Sequence, residues 1–122
     1  MKPKNKNILF VEDDQSVANT MKEFLERFEY NVTISSRSTE ALRLVQAHPE
    51  TFDMVMSDLK MPNMDGIELA KKIHGVKTDM PVIICTGDNS IEADKIKNTE
   101  GINEVFIKPF PISELVAKIK TF

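Results

Sequence analysis

The strongest constraint on how this chain can fold is a regular alternation. Short apolar runs at Ile8 to Val11, Val32 to Ser35, Phe52 to Ser57, Val82 to Thr86 and Val105 to Ile107 are separated by stretches with helical spacing. ILFV, MVM and VIIC are continuously apolar, as in strands buried on both faces, whereas Val32-Thr33-Ile34-Ser35 alternates and reads as an edge strand. In the first helical stretch Val17, Met21, Phe24, Leu25 and Phe28 share one face, and Lys22, Glu23, Glu26 and Arg27 lie elsewhere. Further helices fit Thr39 to Ala47, Gly66 to His74, Ser90 to Asn98 and Ile112 to Lys120. Asp65 is placed to cap the third of the five, with Glu68 reaching back. The fourth carries only Ile91, Ala93 and Ile96 as apolar residues and is predicted to be the least firmly held. Strands that alternate with helices in this way require right-handed crossovers and a parallel sheet covered on both faces. The predicted fold is α/β: a flavodoxin-like (βα)5 three-layer sandwich with strand order 2-1-3-4-5.

The totals narrow the function. A length of 122 residues suits one domain, and 41% hydrophobic with 29% charged residues is the balance of a folded globular chain. No apolar run approaches the roughly 20 residues of a membrane helix. The start, MKPKNKN, is basic and polar, so neither membrane insertion nor a signal peptide is expected. Cys85 is the single cysteine, which rules out an internal disulfide and fits a cytoplasmic location. A net charge of −3 gives no concentrated basic face, and direct nucleic-acid binding is not expected.

The acids are unevenly placed. Glu12, Asp13 and Asp14 directly follow the first strand, and Asp58 ends the third. With order 2-1-3-4-5 the strand order reverses between strands one and three, and a ligand crevice opens beyond their carboxyl ends. Glu12, Asp13 and Asp58 then converge there, with Asp14 the better candidate for a helix cap. Crowded carboxylates repel unless a cation joins them, and a small, hard, oxygen-seeking ion such as magnesium answers that need. The fourth strand delivers Thr86 and Gly87 to the same crevice, the glycine allowing close approach to a ligand, and the fifth delivers Lys108 before Pro109, a peptide bond that can be cis. Three acids, a hydroxyl, a lysine and a metal can hold a phosphoryl group. Cys85 reads as core packing, Asp53 as a turn residue, and His48 and His74 as helix-end residues.

Four segments, ILFVEDD at 8–14, FDMVMSDLKMPNMDG at 52–66, PVIICTG at 81–87 and Lys108-Pro109-Phe110, together resemble the receiver domain of two-component response regulators. The resemblance spans residues 1–122 as a single receiver domain with no output domain. It implies that Asp58 is the phosphoacceptor and that Asp13 holds magnesium directly and Glu12 through water, with Asp58 and the Lys60 backbone carbonyl as further ligands. It makes Thr86 the switch hydroxyl and Lys108 the phosphate-pairing lysine. The implied partner is a sensor histidine kinase or a histidine phosphotransfer domain, and the domain is a signalling phosphoacceptor with slow self-dephosphorylation rather than a turnover enzyme. Asp88 and Lys60 would flank the path of attacking water. Val105 stands where the family usually has an aromatic switch residue, and alternation points the adjacent Phe106 to the other face. Cys-Thr-Gly at 85–87 and the approach to the third strand from His48 resemble the receivers of hybrid sensor kinases.

Two other functions fit the fold less well. A flavin-binding protein needs a Ser/Thr/Gly-rich phosphate loop where Glu12-Asp13-Asp14 stand, and those charges would repel the phosphate. A phosphohydrolase with an aspartyl nucleophile needs its general acid two residues on, where this chain has Lys60.

Overall fold

Each apolar run becomes a strand and each periodic stretch a helix in the computed structural model, which describes residues 6–87 and 90–122, with backbone alone for 90–92. The elements are β1 (Asn7–Val11), α1 (Gln15–Arg27), β2 (Asn31–Ser35), α2 (Ser38–Ala47), β3 (Met54–Asp58), α3 (Gly66–Val76), β4 (Val82–Thr86), α4 (Ser90–Lys97), β5 (Glu104–Ile107) and α5 (Ile112–Ile119). The strands form one parallel sheet of order β2-β1-β3-β4-β5, as the alternation predicts. Its register pairs Val11 with Ser57, Asp58 with Cys85 and Thr86 with Ile107, which sets the carboxyl ends of β1, β3, β4 and β5 side by side.

Strand alternation divides the core in two. Leu9, Val11, Val55 and Ile84 face Ala41 and Val45 of α2, Leu69 and Ile73 of α3, and Ile96 of α4. Ile8, Phe10, Met54, Met56 and Cys85 face Ala18 and Leu25 of α1 and Leu115 and Ile119 of α5. Each fully buried large side chain contributes about 1.5–3 kcal/mol relative to exposure. The sheet interior is therefore the rigid platform beneath everything at the strand ends.

The structure corrects several details. The face of α1 that meets the sheet carries Ala18 and Leu25, with Met21 half-buried. Val17 (39% exposed), Phe24 (39%) and Phe28 (45%) lie outside it. The apolar stripe of α1 is wider than the strip of sheet it covers, and Val17 and Phe24 of the excess border a groove against the segment after β5. The third strand starts at Met54 rather than Phe52, because the Asp53 N–H already bonds the Asn7 carbonyl and the Asp53 carboxylate accepts the Asn7 N–H. Asp53 is thus a turn residue, as expected. β5 is the second edge of the sheet and is only half-buried, since α4 and α5 cover it incompletely. In α4, Ala93 and Ile96 are buried. The Lys108–Pro109 bond is cis.

Candidate functional site

The three consecutive acids after β1 point three ways. Glu12 is 3% exposed, its N–H bonds the Ser35 carbonyl, and its carboxylate accepts the Asp14 N–H at 3.1 Å. Asp14 turns to the helix and caps α1 by accepting the N–H groups of Ser16 and Val17. Asp13 between them is exposed. One carboxylate oxygen from each of Glu12, Asp13 and Asp58 lies within 4.8 Å of the others. Lys108 reaches the same point, its Nζ donating to Asp58 Oδ1 at 2.7 Å and standing 3.6 Å from Glu12 Oε1. The Lys108 N–H also donates to the Thr86 carbonyl at 2.7 Å, so β4 fixes the backbone from which the ammonium extends. Asp58, Leu59, Lys60, Thr86, Gly87 and Lys108 line a cavity of about 350 Å³ over these groups.

The electrostatics match this crowding. Burial pushes the Glu12 carboxyl above its ordinary value and the Asp58 charge adds to the rise, against the opposing Asp14 N–H and Lys108. Burial works against the Lys108 ammonium too, but the hydrogen bond and charge of Asp58, together with Glu12, outweigh it and its pKa is raised. One lysine facing three carboxylates leaves the cluster short of positive charge. An all-oxygen donor set of this kind fits a hard divalent cation that keeps part of its water shell, as magnesium does. Cys85 is 1% exposed with its thiol pushed up to about 12 by burial, which agrees with a packing role.

Glu12, Asp13, Asp58 and Lys108 are therefore brought together, and Thr86 and Lys60 line the adjoining cavity. Asp88 lies outside the described residues. Val105 packs on the α2–α4 side of the sheet, whereas Phe106 lies on the α1–α5 side with its ring centroid 5.1 Å from that of Phe110. The opposite orientations expected from alternation hold. His74 pairs with Glu100 at 3.2 Å, away from the site.

Two contributors were not picked out from the sequence. Ser57 is fully buried and its hydroxyl donates to the Asp58 carbonyl at 2.8 Å. The clue was a lone polar residue inside an apolar strand. Gly66 comes so close to the peptide after Asp58 that a Cβ there would stand 2.6 Å from the Asp58 carbonyl oxygen and 3.2 Å from Leu59 Cα. At Gly87 a Cβ would meet nothing within 4 Å among the described residues, so the space in which a ligand is expected to approach is open. The tight fit lies behind Asp58, not in front of it.

The sequence profile described as the response regulator receiver domain matches residues 8–120. The chain is 34% identical over 117 residues to the alkaline phosphatase synthesis transcriptional regulatory protein PhoP of Bacillus subtilis, covering 95% of this chain and 48% of PhoP. It is 34% identical over 116 residues to the regulatory protein VirG of Agrobacterium tumefaciens, covering 94% of this chain and 42% of VirG. The chain thus spans under half the length of these curated relatives. Among solved structures, a receiver domain protein from Clostridium thermocellum aligns with a TM-score of 0.89 at 29% identity, covering 95% of this chain and 92% of that one. The response regulator TrrA from Thermotoga maritima, solved in complex with Mg2+ and BeF, aligns with a TM-score of 0.82 at 28% identity, covering 95% and 97%. The fold, the acid cluster with its lysine and these likenesses agree: the chain belongs to the response regulator receiver domain family, the phosphoacceptor domains of two-component signalling.

Proposed function

We propose that residues 1–122 act as one receiver unit in which Asp58 is the phosphoacceptor. A carboxylate oxygen of Asp58 attacks the phosphorus of a phosphohistidine on a sensor histidine kinase or a histidine phosphotransfer domain. The P–N bond breaks, its electron pair leaves with the partner's imidazole, and an acyl phosphate forms on Asp58. Lys108, now bonded to Asp58 Oδ1, passes to an oxygen of the incoming phosphoryl group. Thr86, buried at the end of β4 beside the cavity, donates its hydroxyl to another. Glu12, Asp13, Asp58 and the Lys60 backbone carbonyl are the magnesium ligands, directly or through water. Magnesium, when bound, neutralises phosphoryl oxygens and lowers the repulsion between the two anions. Later hydrolysis returns the domain to rest, and Lys60, which lines the cavity, stands beside the path of that water.

The observation that carries this reading is the meeting of three carboxylates and the Lys108 ammonium at the ends of separate strands. The partner reading draws support from a groove of about 460 Å³ between Val17, Met21 and Phe24 of α1 and Pro109, Phe110 and Ile112. It opens beside Lys108 and is almost wholly apolar, which suits a helix that presents its histidine to Asp58. No helix among the described residues is long and apolar enough to cross a membrane, and a cytoplasmic site of action is proposed.

Incubation with acetyl phosphate followed by intact-mass measurement tests the reading. The wild-type chain should gain one phosphate only when magnesium is present, and Asp58→Asn should gain none. Equal gains in the two proteins would overturn it.

A further inference from the structure

Ser57 interrupts the apolar run of β3 one residue before Asp58, and its register partners are Val11 of β1 and Ile84 of β4. All three residues are 0% exposed. A hydroxyl enclosed in this way has to find an acceptor, because a buried polar group without one destabilises the fold. Ser57 finds the carbonyl oxygen of Asp58, at 2.8 Å. The β1–β3 register ends at the Val11–Ser57 pair, so this carbonyl lies beyond the last residue that β1 sets opposite β3.

The bond is the first of three on consecutive backbone groups. The planar peptide between Asp58 and Leu59 is held at its oxygen by Ser57 and at its nitrogen by Cys85, whose carbonyl accepts the Leu59 N–H at 2.9 Å. The next carbonyl, that of Leu59, accepts the Gly66 N–H at 2.8 Å. Holding both ends of the first peptide fixes ψ of Asp58. With the strand fixing the other side, the direction in which the carboxylate leaves the backbone is set. At rest the carboxylate has a further anchor in the Lys108 ammonium, at 2.7 Å. During phosphoryl transfer that ammonium passes to the incoming group, and the carboxylate loses its direct anchor when its aim matters most. The backbone then does the aiming.

We infer that Ser57 is a positioning residue for phosphoryl transfer, whose buried hydroxyl locks the Asp58–Leu59 peptide and so holds the Asp58 carboxylate in line for attack. The inference rests on the reading of Asp58 as the phosphoacceptor. Ser57 does not line the cavity, so it touches no reacting atom and acts only through the carbonyl it holds.

Threonine and valine have nearly the same shape and differ in the hydroxyl, so placing each at position 57 separates the hydrogen bond from packing. Acetyl phosphate saturation curves in excess magnesium give a maximal rate and a half-saturating concentration for wild type, Ser57→Thr, Ser57→Val and Ser57→Ala. Ser57→Thr should stay within about two-fold of wild type, while Ser57→Val and Ser57→Ala should lose about ten-fold in maximal rate at an unchanged half-saturating concentration. Amide hydrogen exchange on the metal-free proteins supplies a readout independent of activity. In Ser57→Ala the Leu59 and Gly66 N–H groups should gain about three-fold or more in exchange rate over any gain at Val55 and Ile84, which report opening of the sheet itself. A maximal rate in Ser57→Ala equal to wild type, or Leu59 and Gly66 exchange that rises no more than that of Val55 and Ile84, would overturn the inference. So would a Ser57→Thr protein of ordinary stability that is as slow as Ser57→Val. Where threonine itself lowers stability in urea unfolding, alanine against wild type decides. Asp58→Asn, run alongside, tells the two readings apart: phosphate gained by that variant at the wild-type rate defeats the phosphoacceptor assignment, whereas an inert Asp58→Asn beside an undiminished Ser57→Ala defeats the positioning role alone.

Discussion

The two sides of the site are built differently. On one side the ends of β1, β3 and β4 rest on strands that are almost fully buried, and Asp58 is gripped from behind by Ser57 and Gly66. On the other, β5 is a half-buried edge strand and α4 holds the sheet with Ala93 and Ile96. What ties that edge together is charge: Glu104 pairs with Lys97 at 3.1 Å and with Lys118 at 3.4 Å, and so links α4, β5 and α5. The two acids shift in opposite directions. Burial and the neighbouring Asp58 raise Glu12, so charge is held in the site at a cost. At Glu104 burial also raises the carboxyl, but the Val105 N–H and the two lysines outweigh it and the pKa is lowered. The platform side holds an unfavourable arrangement ready for a cation and a phosphoryl group. The edge side is an electrostatically relaxed latch over a half-buried strand, and local opening belongs there.

Removing Lys108 should break the contrast most severely. Lys108→Ala leaves three carboxylates facing one another without their ammonium, so phosphorylation by acetyl phosphate should slow by about 100-fold. Magnesium should bind more tightly at the same time, since a competing cation is gone. Rates from timed mass spectra and a metal titration monitored by NMR check both halves. A variant that loses rate and magnesium affinity together would mean that Lys108 shapes the metal site rather than the phosphoryl site.

Gly66→Ala attacks the platform from behind. The new methyl would press on the Asp58 carbonyl, which is backbone and yields little. A loss of about 2–3 kcal/mol in urea unfolding is expected. An ordinary stability with an unchanged phosphorylation rate would show that the grip on Asp58 is looser than the geometry indicates.

The smallest effect should come from the edge. Glu104→Gln should cost about 0.5 kcal/mol at pH 7 in low salt, because Lys97 is half exposed and solvent screens the pair. The sign with pH is set by the lowered pKa. The carboxylate contributes stability above its ordinary value near 4.5, and that contribution disappears as pH falls through the lowered folded value. Wild type and Glu104→Gln should therefore differ in thermal unfolding at neutral pH and converge in acid, with the difference shrinking in 1 M salt. Phosphorylation rates should stay equal.

The same two sides differ in how far the sequence revealed them. The platform announces itself, because continuous apolar runs followed at once by Glu12-Asp13, Asp58 and Thr86 leave few other places for those side chains. Strand alternation alone separated Val105 from Phe106. Ser57 and Gly66 escaped notice because their roles depend on through-space contacts with the Asp58 carbonyl, which no spacing rule encodes. The covered face of α1 is hidden in the sequence for a related reason. Periodicity shows that Val17, Phe24 and Phe28 line up with Leu25, but it does not show how much of the stripe the sheet can cover. The Glu104 latch joins three elements whose relative placement only the fold supplies.

Whether the phosphoryl group lands on Asp58 can be read chemically. Borohydride reduces an aspartyl phosphate to homoserine, so reduction after acetyl phosphate treatment, followed by peptide mass mapping, locates the modified position directly. Homoserine at position 58 and nowhere else is the expected result. Homoserine at Asp13, at Asp14 or at no position, in protein that has gained a phosphate, would contradict it.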